Sequence, residues 1–477
     1  MVFSQFSFLF IFLPVFLFIY WLIKREFRNV FLLLASILFY FIGEKQSTWI
    51  LLAAILINYG FGLLICKLKN DKKVSQSALK YVLWLCVGAN LCLLGYYKYA
   101  NFFINSTNSF AAWSGINWHV DLPPIALPLG ISFFTFHALS YVVDIYRGEV
   151  KASKSLANVG AYFAMFPQLV AGPILRYNQV SEALQSRVST PKAIFNGFII
   201  FILGLAQKVL IADPLAVVAD AAFALPSQDL TMLAAWLGAL AYSFQLFFDF
   251  WGYSQMAIGL GMIIGFTFPI NFNYPYISST IQEFWRRWHM TLSFWFRDYV
   301  YIPLGGGRVA NWRVYFNLML VFALTGLWHG ASYTFIVWGL WHGLFLLIER
   351  ANPKFFGRLP KWLSHFYTLL VVIVGWVLFR SVDFDSALVW LGHMFGVYGF
   401  SGWIAGTQFL SIYNIICFAI AIVFSTPVVA NWIKKAPSLM THNSWITLKG
   451  LGGIALFIVC IVKVLTGSFS PFLYFRF

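Results

Sequence analysis

Charged residues are scarce in this sequence, and acidic residues are the scarcest of them. Asp, Glu, Lys and Arg make up 10% of the 477 residues, with 16 acids against 32 bases, whereas about 25% is usual in soluble domains. Hydrophobic residues reach 61% and stand in repeated apolar runs of about 20 residues, the length of a transmembrane helix. These features exclude an ordinary soluble enzyme and predict an all-α, polytopic integral membrane protein.

Cysteine pairs and closely spaced histidines are also lacking. The five cysteines form no CxxC pair and lie in or beside apolar runs, so neither a disulfide framework nor a zinc site is expected. No two histidines stand three or four residues apart, which gives little support to a metal site on a helix. We therefore expect no bound metal, and cysteines that serve in packing.

The excess of basic residues does not indicate a nucleic-acid-binding protein. Lys and Arg stand in short clusters between apolar runs, and no basic domain or recognised nucleic-acid module is present. Membrane proteins concentrate these residues in cytoplasmic loops. We expect the clusters to face the cytoplasm and lipid headgroups, with no nucleic acid as a partner.

The apolar runs divide the chain into candidate spans. By length they are 6–23, 29–43, 48–66, 80–97, 124–143, 157–171, 192–211, 231–248, 254–270, 314–328, 331–348, 363–379, 405–427 and 447–466. The first has no basic leader and no small-residue cleavage site before Lys24, so a retained helix is expected instead of a removed signal peptide. The runs at 29–43, 157–171 and 314–328 are short, and some of these are expected to be re-entrant or packed inside the protein. We predict about 11–14 transmembrane or re-entrant helices in one domain covering 1–477, with an aromatic tail at 468–477.

The positions of Lys and Arg predict the orientation of the chain. Basic clusters follow the first, third, fifth, ninth, eleventh and thirteenth spans, at 24–28, 67–80, 147–154, 286–313, 350–361 and 434–435. All follow odd-numbered spans, so one assignment satisfies every cluster: clusters in the cytoplasm, with the N- and C-termini on the outer side. Arg176 and Arg187 are the exception, because this count places them outside.

Residues 271–313 form a polar, arginine-bearing segment that contains His289. On one continuous helix, His289 would share a stripe with Gln282, Trp285, Ser293 and Phe296. Arg286 and Arg287 would lie on the neighbouring face, toward an anionic ligand or headgroups. An interfacial amphipathic helix whose arginines touch lipid phosphate explains the pattern equally well, and the residues alone leave both interpretations open.

His329 stands between the apolar runs 314–328 and 331–348, at expected membrane depth. An ionisable residue there is a functional candidate by default. Gly326 and Gly330 permit a turn or a close backbone approach beside it. A neutral imidazole costs less to bury than a charged group and can accept a proton, which suits a general base. A hydrogen-bonded core histidine is the structural alternative.

Four further polar residues have both a functional and a structural interpretation. His342 lies on an apolar helix and is expected to be structural, while His137 could line a cavity or bond a neighbouring helix. Asp249 requires a partner, either an Arg or backbone amides, and structural pairing is favoured over a proton relay. Tyr474 carries the only nucleophilic hydroxyl of PFLYFRF, although an interfacial aromatic anchor is the commoner role for such a residue.

Five blocks of the sequence carry a family resemblance. They are PLGISFFTFHALSYVVDIYRG, FPQLVAGPI, FDFWGYSQMAIGLG, NFNYPYISSTIQEFWRRWHMTLSFWFRDYVYIPLGG and LTGLWHG. Together they resemble the membrane-bound O-acyltransferase (MBOAT) family, and more narrowly its bacterial branch of alginate and peptidoglycan O-acetyltransferases. The similarity runs from the first span to the last residue, and the order of EFWRRWH and LWHG is specific. Trp251 and Gln255 depart from the pattern, where relatives tend to have Ser and Asp.

The resemblance implies a ring of helices around a central tunnel and a set of site residues. It implies His329 as the essential histidine, His289 as a second catalytic position, and Tyr474 as an acyl relay on the outer side. We assign donor binding to the residues beside these histidines, namely Arg286, Arg287, Trp285 and Trp328.

The function implied by the resemblance is acyl transfer across a bacterial inner membrane. A cytoplasmic thioester, acetyl-CoA by resemblance, would supply an acetyl group, with no permanently bound cofactor. A periplasmic partner O-acetyltransferase would then modify an exported or cell-wall polysaccharide such as alginate or peptidoglycan. The alternatives are D-alanyl transfer to teichoic acid and a non-enzymatic transporter of an acyl donor or lipid. Central histidines, without the interrupted helix pairs of inverted-repeat carriers, favour an enzyme over a transporter.

Overall fold

The computed structural model describes residues 2–399, 407–435, 441–467 and 472–473. Within these ranges all regular secondary structure is helical, which confirms the predicted all-α class. Apart from short 3₁₀ and π-helical turns, the helices are α1 Leu13–Leu22, α2 Arg28–Glu44, α3 Thr48–Asn70, α4 Gln76–Leu94, α5 Ala100–Ser114, α6 Ile131–Arg147, α7 Leu156–Ala164, α8 Phe166–Leu169, α9 Tyr177–Gln185, α10 Pro191–Ala206, α11 Asp213–Phe223, α12 Met232–Ile263, α13 Ile281–Arg287, α14 Met290–Phe296, α15 Asn311–His329, α16 Tyr333–Ala351, α17 Pro353–Arg358, α18 Lys361–Arg380, α19 Phe384–Met394, α20 Ile412–Phe424, α21 Val428–Lys435 and α22 His442–Thr466.

The chain packs as two compact units. The first comprises Met1–Phe198 and Ala257–Pro269, and the second comprises Ile199–Met256 and Ile270–Phe477. Both candidate histidines, His289 and His329, belong to the second unit. The single domain over 1–477 and the ring of helices around a tunnel stay predictions.

Several helices are long and apolar enough to cross a membrane. Six segments meet this condition in the described part of the chain: Arg25–Asn70, Gln76–Ser114, Pro191–Phe223, Met232–Ile263, Lys361–Arg380 and His442–Thr466. A seventh is obtained if α20 and α21, which are bent by 61°, form one span. Many apolar side chains on these helices are exposed, for example Leu451, Ile454 and Ile458 of α22, as expected for surfaces that contact lipid. The polytopic membrane class is therefore confirmed.

One helix replaces the two predicted spans at 231–248 and 254–270. The helix α12 runs without interruption from Met232 to Ile263 over 32 residues. The two spans were predicted by apolar length alone, as separate runs before and after residues 249–253. The Asp249 carboxylate instead has partners within the protein, so the helix does not have to end at this residue.

The run at 157–171 does not cross the membrane as a single helix. Its main helix, α7, has nine residues and is about 14 Å long at 1.5 Å per residue, about half of a hydrocarbon core. Asn29 donates hydrogen bonds to Asn158 Oδ1 at 2.7 Å and to the carbonyl of Leu184 at 2.6 Å. Asn158, at the start of the run, and Leu184, after its end, therefore contact the same side chain, and residues 159–171 are buried. This is the arrangement expected for a segment that is re-entrant or packed inside the protein.

This segment changes the predicted side of Arg187. The Arg187 Nε donates to the Tyr20 hydroxyl at 2.9 Å, and the Arg28 guanidinium lies 4.9 Å from the centre of the same ring. Arg187 thus lies on the side of the first basic cluster, and its predicted position on the opposite side is wrong. The count of membrane spans gave the wrong side because it treated residues 157–171 as a full crossing.

The helices α15 and α16 form a hairpin with a very close backbone contact. A Cβ added at Gly326 would lie 2.2 Å from the carbonyl oxygen of Phe335, and one added at Gly339 would lie 2.2 Å from that of Phe322. Only glycine permits this approach. The contact brings the end of α15, where His329 lies, against the beginning of α16.

A methyl group at Gly326 should therefore destabilise the hairpin. We expect Gly326→Ala to lower the free energy of unfolding by about 1–3 kcal/mol, because the two backbones must move apart. The measurement is the thermal unfolding midpoint of the detergent-solubilised protein. The matched control is Gly88→Ala in α4, where an added Cβ meets nothing within 4 Å. Equal midpoints for the two variants would contradict the backbone contact.

Candidate active site

His329 is the last residue of α15, at the junction predicted from the sequence. The backbone of Gly330 is extended, and α16 begins at Tyr333 after Ser332, whose side chain accepts a hydrogen bond from Thr334 N. The junction therefore turns the chain back while holding the imidazole at the tip of the α15–α16 hairpin.

Aromatic rings surround the His329 imidazole. Ring centres lie at 4.9 Å for Trp338, 5.0 Å for Trp328 and 5.3 Å for Phe379, all close to edge-to-face. His329 keeps 4% of its surface exposed, whereas His289 and His342 have none. Of these three histidines, His329 is thus the one that retains any exposed surface.

His289 lies at a break between α13 and α14, and its predicted helical stripe is wrong. The helix α13 ends at Arg287, α14 begins at Met290, and His289 has a left-handed backbone with φ 42° and ψ 52°. Such a conformation is uncommon for a residue other than glycine and needs support from its surroundings. The break places His289 off the face that Trp285 occupies on α13.

Asn271 stabilises this break. Its carbonyl oxygen accepts the Met290 N–H at 2.9 Å, and its Oδ1 accepts the Thr291 N–H at 3.3 Å and the Thr291 hydroxyl at 2.9 Å. The His289 Nδ1 lies 3.1 Å from the same Oδ1. Because a backbone N–H can only donate, this atom of Asn271 is an oxygen, so Nδ1 donates and Nε2 carries the lone pair.

Trp328 stands between the two candidate catalytic histidines. Its ring centre lies 6.0 Å from that of His289 and 5.0 Å from that of His329. The indole is buried, with 4% of the residue exposed. The structure therefore brings His289 and His329 near each other through this indole.

The residues assigned to donor binding do not share one environment. Trp285 is buried and packs against His342 and Trp338, with ring centres at 5.1 and 5.7 Å. Arg286 is exposed, while Arg287 forms a 2.9 Å ion pair with Glu283 on the same helix. These side chains face different sides of α13, and their assignment to the donor stays a prediction.

Two other histidines are fully buried. His342 packs between Trp285 and Trp338, at 5.1 and 5.3 Å between ring centres, in agreement with its expected structural role. His137 belongs to the first unit and lies 5.4 Å from the ring of Tyr162.

Two residues that support the site were not singled out from the sequence. Glu349 of α16 is buried and accepts the backbone N–H groups of Ile281 and Gln282 at 2.6 and 3.1 Å. A carboxylate at a helix N-terminus satisfies groups that have no partner within the helix. Asn271 was overlooked because its partners lie 18 and 20 residues further along the chain.

Tyr474 lies outside the described residues, but the two residues before it are described. The Leu473 N–H donates to Asp249 Oδ2 at 2.8 Å. Lys208 forms the other contact of Asp249, with Nζ 2.7 Å from Oδ1. The predicted backbone-amide partner of Asp249 is thus confirmed, whereas the alternative of an Arg partner is wrong because the cation is Lys208.

The arrangement is suited to base catalysis in a dry site. Aromatic walls exclude water, and this strengthens the interaction of the imidazole with any developing charge. The geometry therefore supports His329 as a proton acceptor. Trp328 packs against its ring, and His289 packs against Trp328. Their catalytic roles stay predictions.

The chain is similar to known proteins along its whole length. Residues 37–379 match the model of the membrane-bound O-acyltransferase family, MBOAT. The probable alginate O-acetylase AlgI of Pseudomonas putida is 41% identical over the whole of both chains. The peptidoglycan O-acetyltransferase of Helicobacter pylori is 34% identical, over 98% of this chain and 96% of that protein. The teichoic acid D-alanyltransferase of Bacillus subtilis is 32% identical, over 57% of this chain and 68% of that protein.

Acidification tests the neutral state of His289. Burial lowers the pKa of His289 to about 3, so the unfolded chain takes up this proton more readily than the folded protein. The contribution of neutral His289 to the free energy of unfolding should be complete above about pH 6.5, the ordinary pKa of histidine. It should decrease as the pH falls toward 3. Between pH 7 and pH 5 this residue should account for a loss of about 2 kcal/mol.

The variant His289→Asn should lose this part of the pH dependence, because asparagine tolerates a positive φ and does not titrate. The thermal unfolding midpoint should therefore fall less between pH 7 and pH 5 than in the unmodified protein. Parallel curves for the two proteins would show that His289 is not held neutral by folding.

Proposed function

Because the chain belongs to the membrane-bound O-acyltransferase family, we propose that it transfers an acetyl group to an exported or cell-wall polysaccharide. It is an O-acyltransferase and a multi-pass membrane protein. Two relatives that match it over nearly their whole length are named for O-acetylation of alginate and of peptidoglycan. The teichoic acid relative matches only 57% of this chain, which supports acetyl transfer over D-alanyl transfer.

The observation that carries the proposal is the position of His329. Its imidazole lies at the tip of a helical hairpin, is enclosed by Trp328, Trp338 and Phe379, and keeps a small exposed surface. A general base in such a site contributes about 10²–10⁴ to the rate of a reaction.

In the proposed step, His329 activates a hydroxyl toward a thioester. The hydroxyl proton moves to the imidazole while the oxygen forms a bond to the carbonyl carbon. The carbon–sulfur bond then breaks, and the thiolate takes the proton from the imidazolium. The acetyl group ends as an ester on Tyr474 or on a serine of a periplasmic partner enzyme, which passes it to the polysaccharide.

The proposed roles of His289 and Trp328 follow from their contacts. His289 is fully buried and bonded to Asn271, so it acts by holding Trp328 against the His329 ring. Trp328 borders the reacting group and limits how the thioester can be oriented. A preorganised wall of this kind reduces the entropy that the reaction has to lose.

The proposed donor is acetyl-CoA, which carries several negative charges. Arg286 is exposed and lies in the basic segment 286–313, so we assign CoA recognition to this segment. In the first unit, Arg187 lies beside Arg28 at Tyr20, so these two cations share one side, which we propose to be the cytoplasmic side of a bacterial inner membrane. The N-terminus and the C-terminal segment then lie on the outer side.

The variant His329→Gln should lose at least about 10²-fold in acetyl transfer, because glutamine cannot accept the proton. The assay measures transfer of radiolabelled acetyl from acetyl-CoA to Tyr474 of the purified protein in liposomes. His342→Gln is the matched control, since it changes another buried histidine of the same aromatic cluster. Full activity of folded His329→Gln protein would remove His329 from the mechanism.

The identity of the transferred group can be tested with the unmodified protein. Liposomes that contain it are incubated with acetyl-CoA labelled in the acetyl group, and the protein is examined by mass spectrometry. We expect acetyl on Tyr474 with release of free CoA. In Tyr474→Phe we expect no label at this position and only the slow release of CoA by hydrolysis. Intact acetyl-CoA inside the liposomes would favour a transporter, and label transfer from a D-alanyl carrier protein alone would favour the teichoic acid reaction.

A further inference from the structure

Lys208 and Asp249 form an ion pair inside the second unit that the proposed chemistry does not use. The Lys208 Nζ lies 2.7 Å from Asp249 Oδ1 and 2.7 Å from Asp213 Oδ1. The side chains of Lys208 and Asp249 are only 2% and 4% exposed. Charged groups within membrane-spanning helices are costly, and those that occur usually have a function.

Two glycines place this ion pair at a rigid helix crossing. A Cβ added at Gly204 would lie 2.5 Å from the carbonyl oxygen of Gly252, and one added at Gly252 would lie 2.7 Å from that of Gly204. The backbones of α10 and α12 therefore touch. This contact holds the positions of Lys208 and Asp249, which follow and precede the crossing by a few residues.

The second oxygen of Asp249 binds the C-terminal segment. While Oδ1 faces Lys208, Oδ2 accepts the backbone N–H of Leu473 at 2.8 Å. The two residues are 224 positions apart in the sequence. A hydrogen bond to a buried carboxylate is stronger than one between neutral groups, so Asp249 holds the main chain of this segment in place.

Phe472 adds a second contact to the same ion pair. Its ring is buried, lies edge-on to Tyr253 at 4.6 Å between centres, and has the Lys208 Nζ at 4.8 Å from its centre. Lysine above an aromatic ring is attracted by the electrons of that ring. Lys208 thus contacts the side chain of Phe472, and Asp249 contacts the backbone of Leu473.

We propose that Lys208 and Asp249 are a docking site for the segment at Phe472 and Leu473, and that docking determines where Tyr474 is presented for acyl transfer. The inference rests on the proposed function, in which Tyr474 accepts the acetyl group. Tyr474 follows Leu473 directly in the sequence, so an anchor at Leu473 limits the reach of its hydroxyl. Lys208 and Asp249 are positioning residues, since they act on the reaction through this segment.

Amide hydrogen exchange measures the docking contact directly. The full-length protein in lipid nanodiscs is exchanged and digested, and the peptide that contains Leu473 is followed by mass spectrometry. In Asp249→Leu the acceptor is lost, and we expect the Leu473 N–H to exchange about tenfold faster. Asp249→Asn keeps an amide oxygen at this position and is expected to restore part of the protection.

Phe472→Ala tests the contact from the side of the segment and leaves the buried ion pair in place. It is expected to accelerate exchange at Leu473 without a large change in the thermal unfolding midpoint. Asp220→Asn is the matched control, because it breaks a 2.7 Å ion pair with Arg380 in the same unit. Exchange at Leu473 should not change in this control.

The effect on the reaction is measured as transfer of labelled acetyl to Tyr474. Misplacement of a reacting group by about 1 Å costs about 10²-fold in rate, so Asp249→Leu and Phe472→Ala should lower kcat by about that factor. The KM for acetyl-CoA and the slow hydrolysis of acetyl-CoA by water should stay the same, since neither depends on the segment.

Unchanged exchange at Leu473 in both variants would overturn the docking site. Faster exchange with undiminished transfer to Tyr474, or an equal loss of transfer and hydrolysis, would overturn the positioning role. A protected Leu473 amide in a protein that never places label on Tyr474 would instead refute the proposed acceptor. The exchange measurement does not depend on activity and therefore separates these outcomes.

Discussion

Polar groups that are buried away from water, in hydrocarbon or in the protein interior, must find their partners within the protein. This constraint explains much of the second unit. The carboxylate of Asp249 is shared between Lys208 and the backbone of Leu473, and Glu349 caps the beginning of α13. Asn271 accepts hydrogen bonds from His289 and Thr291 at the break between α13 and α14. Each of these bonds links segments that are distant in the sequence, and together they position the candidate site.

Glycine contacts between helices also position the site, because they fix how closely two helix backbones approach each other. At Gly326 and Gly339 the hairpin of α15 and α16 closes until main chains touch, and at Gly204 and Gly252 the helices α10 and α12 do the same. Without a solvent that drives apolar surfaces together, membrane helices associate through close packing. Each of these two crossings lies a few residues from an ionisable side chain, so close packing and the placement of polar groups are coupled.

Predictions from the sequence succeeded where a local pattern was sufficient and failed where a distant contact decided. The membrane class and the position of His329 at a helix junction depend on apolar runs and glycines that lie next to one another in the chain. The prediction of one continuous helix through His289 failed because no residue in EFWRRWH favours a break. The break is stabilised by Asn271, which belongs to an earlier segment. The side of Arg187 failed because hydropathy cannot distinguish a re-entrant segment from a short crossing.

The sequence by itself determined the all-α membrane class, the resemblance to an acyltransferase family, and His329 as the central candidate. These depend on residue type and spacing, which can be read along one chain. Only the tertiary structure decided that Lys208 is the cation beside Asp249 and that Trp328 lies between His289 and His329. The physical reason is that a buried polar or aromatic group selects its neighbours by geometry across helices, and spacing along one helix contains no information about the next.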